Sequence, residues 1–260
     1  MNKLCTIFTV LVGCYVLQAK NLYTKSFGGF PVDLNYKGDV SIFEYMHYAV
    51  GYDETRKNPV WVAYFIPEKV KYNNLGRHST FKSDPRSISQ VKHDDYTHTK
   101  YNRGHMAPNY AFASRFGKES QLETYFTTNI APQHASLNQK VLNKLESIIA
   151  NKIAANNGGC HVITGSYFDE EIEILNKEIE IPDGFYKIVI YKKERTGAWM
   201  SKASYIEQKN GDPTQKYEHS DVKSVTIDFL ENLTGLDFFT ELEDSFEEKL
   251  ESSKASRVGK

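Results

Sequence analysis

Between Ser136 and Gly159 lies the pattern that leaves this chain least freedom. Leu137, Val141, Leu142, Leu145, Ile148, Ile149 and Ile153 recur at steps of three and four, the spacing of one face of an α-helix. Asn156-Asn157-Gly158-Gly159 stops that helix, and Ser136-Leu137-Asn138-Gln139 has the S-x-x-Q form of a capping box at its start. A helix with one apolar face is stable only against a second apolar surface. Residues 60–66, 161–168, 185–191 and 199–205, rich in β-branched and aromatic side chains, are the strands expected to supply it. A further helix is expected over 225–232. Gly28-Gly29-Phe30-Pro31 reads as a turn, residues 69–100 as a long polar loop, and the charged stretch after Leu242, about 243–260, as a helical tail that frays. Such a mixture of strand and helix segments gives the α+β class, in one domain spanning residues 20–260.

Residues able to do chemistry crowd just upstream of the helix. Asn102-Arg103-Gly104-His105 sets a permanent cation two positions before an imidazole whose ordinary pKa is about 6.5. On a strand, residues two apart share a face, and Gly104 between them leaves room for a substrate backbone. Ala107-Pro108 and Ala131-Pro132 read as turns. Hydrolysing a phosphodiester needs a base for water, positive charge on the five-coordinate phosphorus and help for the departing oxygen. His105 suits the first task and Arg103 the second. Asn138, in the first helical turn, offers an amide oxygen suited to Mg²⁺, a hard ion that keeps much of its hydration shell. Eight residues of helix rise about 12 Å, so Glu146 would meet such an ion through water.

These residues resemble a known pattern. In the DNA/RNA non-specific endonuclease family, which includes mitochondrial endonuclease G and secreted bacterial nucleases, D-R-G-H is followed by S-N-I-x-P-Q, then L-N-Q, then a Glu eight residues after that Asn. Here these fall on residues 102–105, 128–133, 137–139 and Glu146, and the likeness extends through residues 59–64, 81–85, 162–165 and 234–239. The resemblance implies a ββα-metal nuclease core with a central, mostly antiparallel sheet flanked by helices. It implies that His105 is the general base, that Asn138 is the sole direct protein ligand of one hydrated Mg²⁺, with Mn²⁺ able to substitute, and that Glu146 orients metal-bound water. It also implies that Arg103 and Asn129 position the scissile phosphate, that DNA and RNA are both substrates, and that 5′-phosphate and 3′-hydroxyl ends result. A homodimer is an assembly left open. Two positions depart from the pattern. Asn102 stands where the family most often has Asp, and Ser79 stands where it has a further Arg, for which Arg77 is the preferred replacement and Arg86 the alternative.

Residues 1–19 carry one early Lys and an apolar run of about 14 residues, shorter than the roughly 20 needed to span a bilayer. A signal peptide cut after Ala19 is expected, with the product secreted or periplasmic and without stable membrane insertion. Leu11-Val12-Gly13-Cys14 also resembles a bacterial lipobox, and the alternative is a form lipid-anchored at Cys14. Cys5 and Cys14 fall in the leader, so Cys160 is alone, forms no intramolecular disulfide and reads as a small core hydrophobe.

The formal charge of −1 gives no global attraction for nucleic acid. Its distribution is uneven: residues 66–103 hold eight Lys/Arg against four Asp/Glu, enough to contact several phosphates. His93, His98 and His105 match no zinc-ligand spacing. Tyr101, Tyr110 and Phe112 are assigned to the core rather than to bases. Three functions follow: a nuclease, a catalytically impaired nucleic-acid-binding protein of the same fold, and a surface interaction protein using the basic loop and acidic tail. For the nuclease, the rate should fall as pH drops through the imidazole pKa.

Overall fold

The computed structural model describes residues 25–72, 75–169, 171–208 and 214–253, so the expected signal peptide, Cys14 and residues 254–260 lie outside it. Within it, Val62, Tyr64 and Ile66 point to one side of the strand Asn58–Ile66, Trp61 and Ala63 to the other, and the whole strand is buried. A strand apolar on both faces belongs mid-sheet. Numbered along the chain, the strands are β1 (Val32–Asp33), β2 (Val40–Glu44), β3 (Tyr48–Asp53), β4 (Asn58–Ile66), β5 (Tyr101–His105), β6 (Ile130–His134), β7 (Cys160–Tyr167), β8 (Gly184–Lys192), β9 (Trp199–Glu207), β10 (Lys223–Val225) and β11 (Leu236–Asp237). Seven of them form an antiparallel sheet in the order β10-β9-β8-β7-β4-β3-β2, with β4 near its middle. β1 pairs with β11, and β5 with β6, in two separate ribbons.

The sheet divides two cores. On one face lie α1 (Asn109–Phe116), α2 (Lys118–Glu123) and the long helix α3, residues 137–156; Phe112, Leu137, Val141, Leu145 and Ile149 pack there against Val62, Tyr64, Val162 and Val189. Each such side chain contributes about 1.5–3 kcal/mol on burial. On the opposite face, Ile227 and Leu230 of α4 (Ile227–Thr234) and Leu250 of α5 (Asp244–Glu251) cover Trp61, Ile163, Ile188 and Ala203. Thr226 caps α4 by accepting the Phe229 N–H at 3.1 Å, and Gly235, at φ 72°, ends it in the left-handed conformation. Cys160 is a free, buried thiol at the start of β7.

The expected α+β class and antiparallel sheet are present, and all four expected strands lie within β4, β7, β8 and β9 to within two residues at either end. β2 and β3 were not expected; Gly51, where the β3/β4 register shifts, interrupts their alternation. Ala131-Pro132 is no turn. Pro132 sits inside β6 opposite Arg103, in a two-stranded ribbon where a missing N–H is tolerated. The capping box is also absent: Ser136 is already helical (φ −70°, ψ −34°), and its hydroxyl donates to the Gln215 carbonyl (2.7 Å) and accepts from the Tyr217 N–H (3.2 Å).

The segment after Leu242 does not fray within the described residues. α5 runs to Glu251, the Leu250 side chain is buried, Phe246 packs edge-on to Phe27 and Trp199, and the Ser201 hydroxyl holds the Leu250 carbonyl at 2.7 Å. Leu250→Ala should therefore lower unfolding free energy by about 2–4 kcal/mol in denaturant titrations. A frayed tail would show no change.

Candidate active site

Antiparallel β5 and β6 followed by α3 make a ββα unit, with His105 opposite Ile130 and Gly104 opposite Ala131. Above it opens a cleft of about 760 Å³ whose walls include Arg77, Asn102, Arg103, His105, Asn138 and Glu146. One cavity thus takes the imidazole from a strand and the amide and carboxylate from a helix. In a regular helix, residues eight apart are about 80° out of alignment. The first stretch of α3, Leu137–Leu142, is instead a wider π-turn in which the Asn143 N–H reaches back five residues to the Asn138 carbonyl. More residues per turn reduce that overshoot and bring Asn138 toward the face that carries Glu146.

His105 packs between Phe81 (5.3 Å between ring centroids) and Tyr125 (4.9 Å). Its Nε2 is buried and meets no hydrogen-bond partner among the described residues, so Nδ1 is the nitrogen that opens to the cleft. Burial, with the Arg77 charge added, pushes the imidazole down to about 3. A free imidazole would titrate in the neutral range; this one is an unprotonated base throughout it. The Glu146 carboxyl is pushed up to about 7 by burial, against the opposing pull of Lys187 and Arg77. The Asn138 side chain, half-buried on the cleft wall, makes no hydrogen bond among the described residues.

The two arginines are held differently. Arg103 donates from Nε (3.1 Å) and Nη2 (2.7 Å) to the His93 carbonyl and from Nη2 to the Thr97 hydroxyl (2.9 Å). Arg77 is exposed and makes no ion pair among the described residues. Its strap of chain is pinned at three places: the Lys71 and Tyr72 N–H groups donate to the Ser114 carbonyl (2.8 and 3.0 Å), Gln121 Nε2 donates to the Gly76 carbonyl (3.0 Å), and the His78 N–H to the Tyr125 hydroxyl (3.0 Å). Arg86 is committed elsewhere, gripping Asp84 through Nε (2.9 Å) and Nη2 (2.6 Å) and the Glu44 carbonyl through Nη1 (3.0 Å). Of the two alternatives, only Arg77 lines the cleft.

Two expectations are overturned. Asn129, expected to position phosphate, is fully buried and saturated: its Oδ1 accepts the Ala107 N–H (2.8 Å), and its Nδ2 donates to the carbonyls of Ala107 (3.1 Å) and Thr124 (2.9 Å). It fastens the turn that follows His105 and has no group left for a substrate. Gly104 makes room for Gln133, not for substrate, since a Cβ there would stand 2.0 Å from the Gln133 side chain. Of the set-aside aromatics, Phe112 is core, whereas Tyr110 is exposed at the cleft.

The profile of the DNA/RNA non-specific endonuclease family matches residues 28–245. The chain belongs to that family. It is 26% identical over 223 residues to the mitochondrial nuclease EXOG of Mus musculus, covering 77% of this chain and 57% of that protein. With the nuclease of Serratia marcescens it shares 27% over 215 residues, 79% of this chain and 77% of the other. The chain spans less than two thirds of the length of its EXOG relatives. Its fold is similar to the crystal structure of the EndoG/EndoGI complex, with a TM-score of 0.71 and 20% identity, covering 88% of this chain and 95% of that one.

One residue beneath this family member's cleft, coupled to it but not lining it, was missed from the sequence. Lys187 lies on β8 in phase with Phe185, Val189 and Tyr191, so it faces the core beneath α3. It is buried, its amine donates to the Thr164 hydroxyl at 3.2 Å, and it is coupled electrostatically to Glu146. A lone Lys at an inward position of an apolar strand was the available signal.

Asn129→Ala should cost about 2–4 kcal/mol of stability through lost buried hydrogen bonds, seen as a lower Tm. Arg77→Ala should leave Tm unchanged, and the reverse pattern would return Asn129 to the substrate. The Glu146 carboxyl, raised from 4.5 to about 7 in the fold, contributes stability that is full below about 4.5 and is lost as pH rises through 7. In EDTA, Glu146→Gln should then be more stable than the parent at pH 8–9, by on the order of 2 kcal/mol, and no more stable at pH 4. Equal Tm values at both pH values would contradict this.

Proposed function

We propose that the chain is a metal-dependent endonuclease that cuts DNA and RNA backbones without sequence preference. The observation that carries this is the opening of His105, Asn138 and Glu146 into one cleft beside Arg77 and Arg103. Neutral His105 takes a proton from the attacking water at Nδ1. Arg77, exposed on the cleft wall, meets the phosphate as charge builds, and Arg103 adds a fixed charge held by the His93 carbonyl. Asn138 fits a hard cation, being a half-buried amide whose oxygen has no hydrogen-bond partner among the described residues, and Glu146 fits the task of orienting that ion's waters. When bound, Mg²⁺, or Mn²⁺ in its place, supplies positive charge at the phosphate and a water able to protonate the leaving oxygen. Contacts of this kind read the backbone and carry no base information. The ends left are a 5′-phosphate and a 3′-hydroxyl. The apolar leader of residues 1–19 supports an extracytoplasmic site of action, secreted or periplasmic, with lipid anchoring at Cys14 as the alternative.

Residues 20–260 should degrade circular DNA and RNA with Mg²⁺ and not with chelator, and His105→Ala should lower the rate at least about 100-fold. Wild-type protein that binds both polymers in a gel shift but cuts neither would favour the impaired binder. The pH dependence differs from that expected of a free imidazole. Because His105 stays neutral down to about 3, protonation of the imidazole does not set a limb near neutrality; Glu146, pushed up by burial and pulled down by a cation bound beside it, must be ionised, so activity rises with pH as that carboxyl titrates. Removing the cation behind it, in Lys187→Met, should move that limb to higher pH, so that activity lost at pH 7 returns at pH 9. An unmoved limb would separate Lys187 from the site.

A further inference from the structure

Ten tyrosines of this chain, among them Tyr45, Tyr48, Tyr52, Tyr64, Tyr96 and Tyr186, are buried in the cores. Among the described tyrosines, only Tyr72 and Tyr110 stand among the strongly exposed large side chains, at 46% and 55%, and both line the cleft that holds His105. Val70, 44% exposed, and Leu75 line the same cleft. Each tyrosine is anchored to the fold at one side. The Tyr110 hydroxyl leans on the Asn151 side chain (3.4 Å) across α3, and the Arg115 guanidinium lies 5.9 Å from its ring centre. Tyr72 is fixed by its N–H on the Ser114 carbonyl, and its ring lies within 3.2 Å of the point where a Cβ on Gly117 would stand.

We propose that Tyr72 and Tyr110 form a stacking subsite for an unpaired nucleobase of the strand whose phosphate is held by Arg77 and Arg103. The proposal deepens the nuclease reading and rests on it. Half-exposed aromatic faces beside cations are what a single strand offers a match to, since every base has a π-face and every linkage a negative charge. In a duplex the bases face each other and the faces are stacked, so the two tyrosines find nothing to cover. Stacking is sequence-tolerant, which agrees with backbone-only reading of the phosphates. The arrangement therefore selects for single-stranded segments without selecting a sequence.

The test compares kcat/KM on a labelled single-stranded oligonucleotide with that on the same sequence as a duplex. In the double variant Tyr72→Ala/Tyr110→Ala the single-strand value should fall about tenfold or more while the duplex value changes little. Tyr72→Phe/Tyr110→Phe should retain both values, because the ring and not the hydroxyl does the stacking. An equal fall on both substrates, or none on either, would overturn the subsite. A second arm measures binding of the His105→Ala protein to the intact single strand and to an abasic strand of the same charge. Weaker binding to the abasic strand, abolished by the tyrosine double variant, supports the subsite. Equal binding to both strands refutes it. If the wild type cuts neither substrate, the nuclease reading fails, and the subsite is then judged by the binding arm alone.

Discussion

The half-buried carboxylate of Glu146 on α3 and the buried amine of Lys187 on β8 each lower the cost of burying the other's charge, and that coupling links α3 to the sheet beneath it. Glu146 hangs from the helix into the cleft, while Lys187 rises from β8 on the apolar face that the helix covers. Burial resists the charged form of each, and each counteracts the penalty of the other. Any rotation of α3 that improved its apolar packing but turned Glu146 away would strand Lys187 among Phe185, Val189 and Leu145. The apolar seam sets where the helix lies, and the electrostatic coupling of Glu146 to Lys187 favours the rotation that keeps them on the same side. The π-turn at Leu137–Leu142 then brings Asn138 toward the same cleft.

Rigidity is distributed unevenly around that helix. His105 sits on a paired strand between two rings, and Asn129 ties the turn after it, held by two hydrogen bonds with Ala107, to the Thr124 carbonyl through a third. The base is therefore placed before any substrate arrives, which is what general-base catalysis requires of it. Arg77 is placed by its backbone alone. Four main-chain groups of its strap are fixed to α1, α2 and Tyr125, and the long side chain beyond them stays exposed. A base held on a paired strand and a long exposed cation suit a polymer that must enter, be cut and leave, since an exposed guanidinium has room to meet the phosphate while the proton acceptor is already placed.

What was legible in the sequence follows from how local each feature is. β4, β7, β8 and β9 announce themselves through β-branched and aromatic runs, and the seam of α3 through its spacing. The π-turn leaves no such mark, because the same apolar residues serve a slightly wider helix. His105, Asn138 and Glu146 were legible as a constellation, and the structure places all three in one cavity. Asn129 was misplaced because its position in the motif says nothing about direction: an Asn beside a catalytic strand can face substrate or backbone, and only the Ala107 and Thr124 contacts decide. Gly104 was read correctly as a position needing no side chain, with the wrong neighbour, since Gln133 arrives from the partner strand through a register that the linear sequence does not display. Lys187 was missed for the opposite reason. Its signal was local, a cation in phase with Phe185 and Val189, but its meaning depends on a helix more than 30 residues away in the chain.

Asn102 raises the sharpest objection to an active enzyme, since the family most often carries a carboxylate there. If that carboxylate served to hold the neighbouring arginine, its loss would leave Arg103 adrift. Here Arg103 is held without it, by the His93 carbonyl and the Thr97 hydroxyl, and its ring neighbours Phe81 and Tyr96 lie 5.9 and 5.7 Å from the guanidinium carbon. If instead the carboxylate served to raise the basicity of the imidazole, its absence fits the low affinity of His105 for protons, and that affinity is set in any case by burial first and Arg77 second. Removing one negative charge from the cleft also leaves Arg77 and Arg103 with less competition for a phosphate. The substitution therefore takes away a charge whose structural task is done by other atoms, and it makes the pocket more favourable to the anion it would hold.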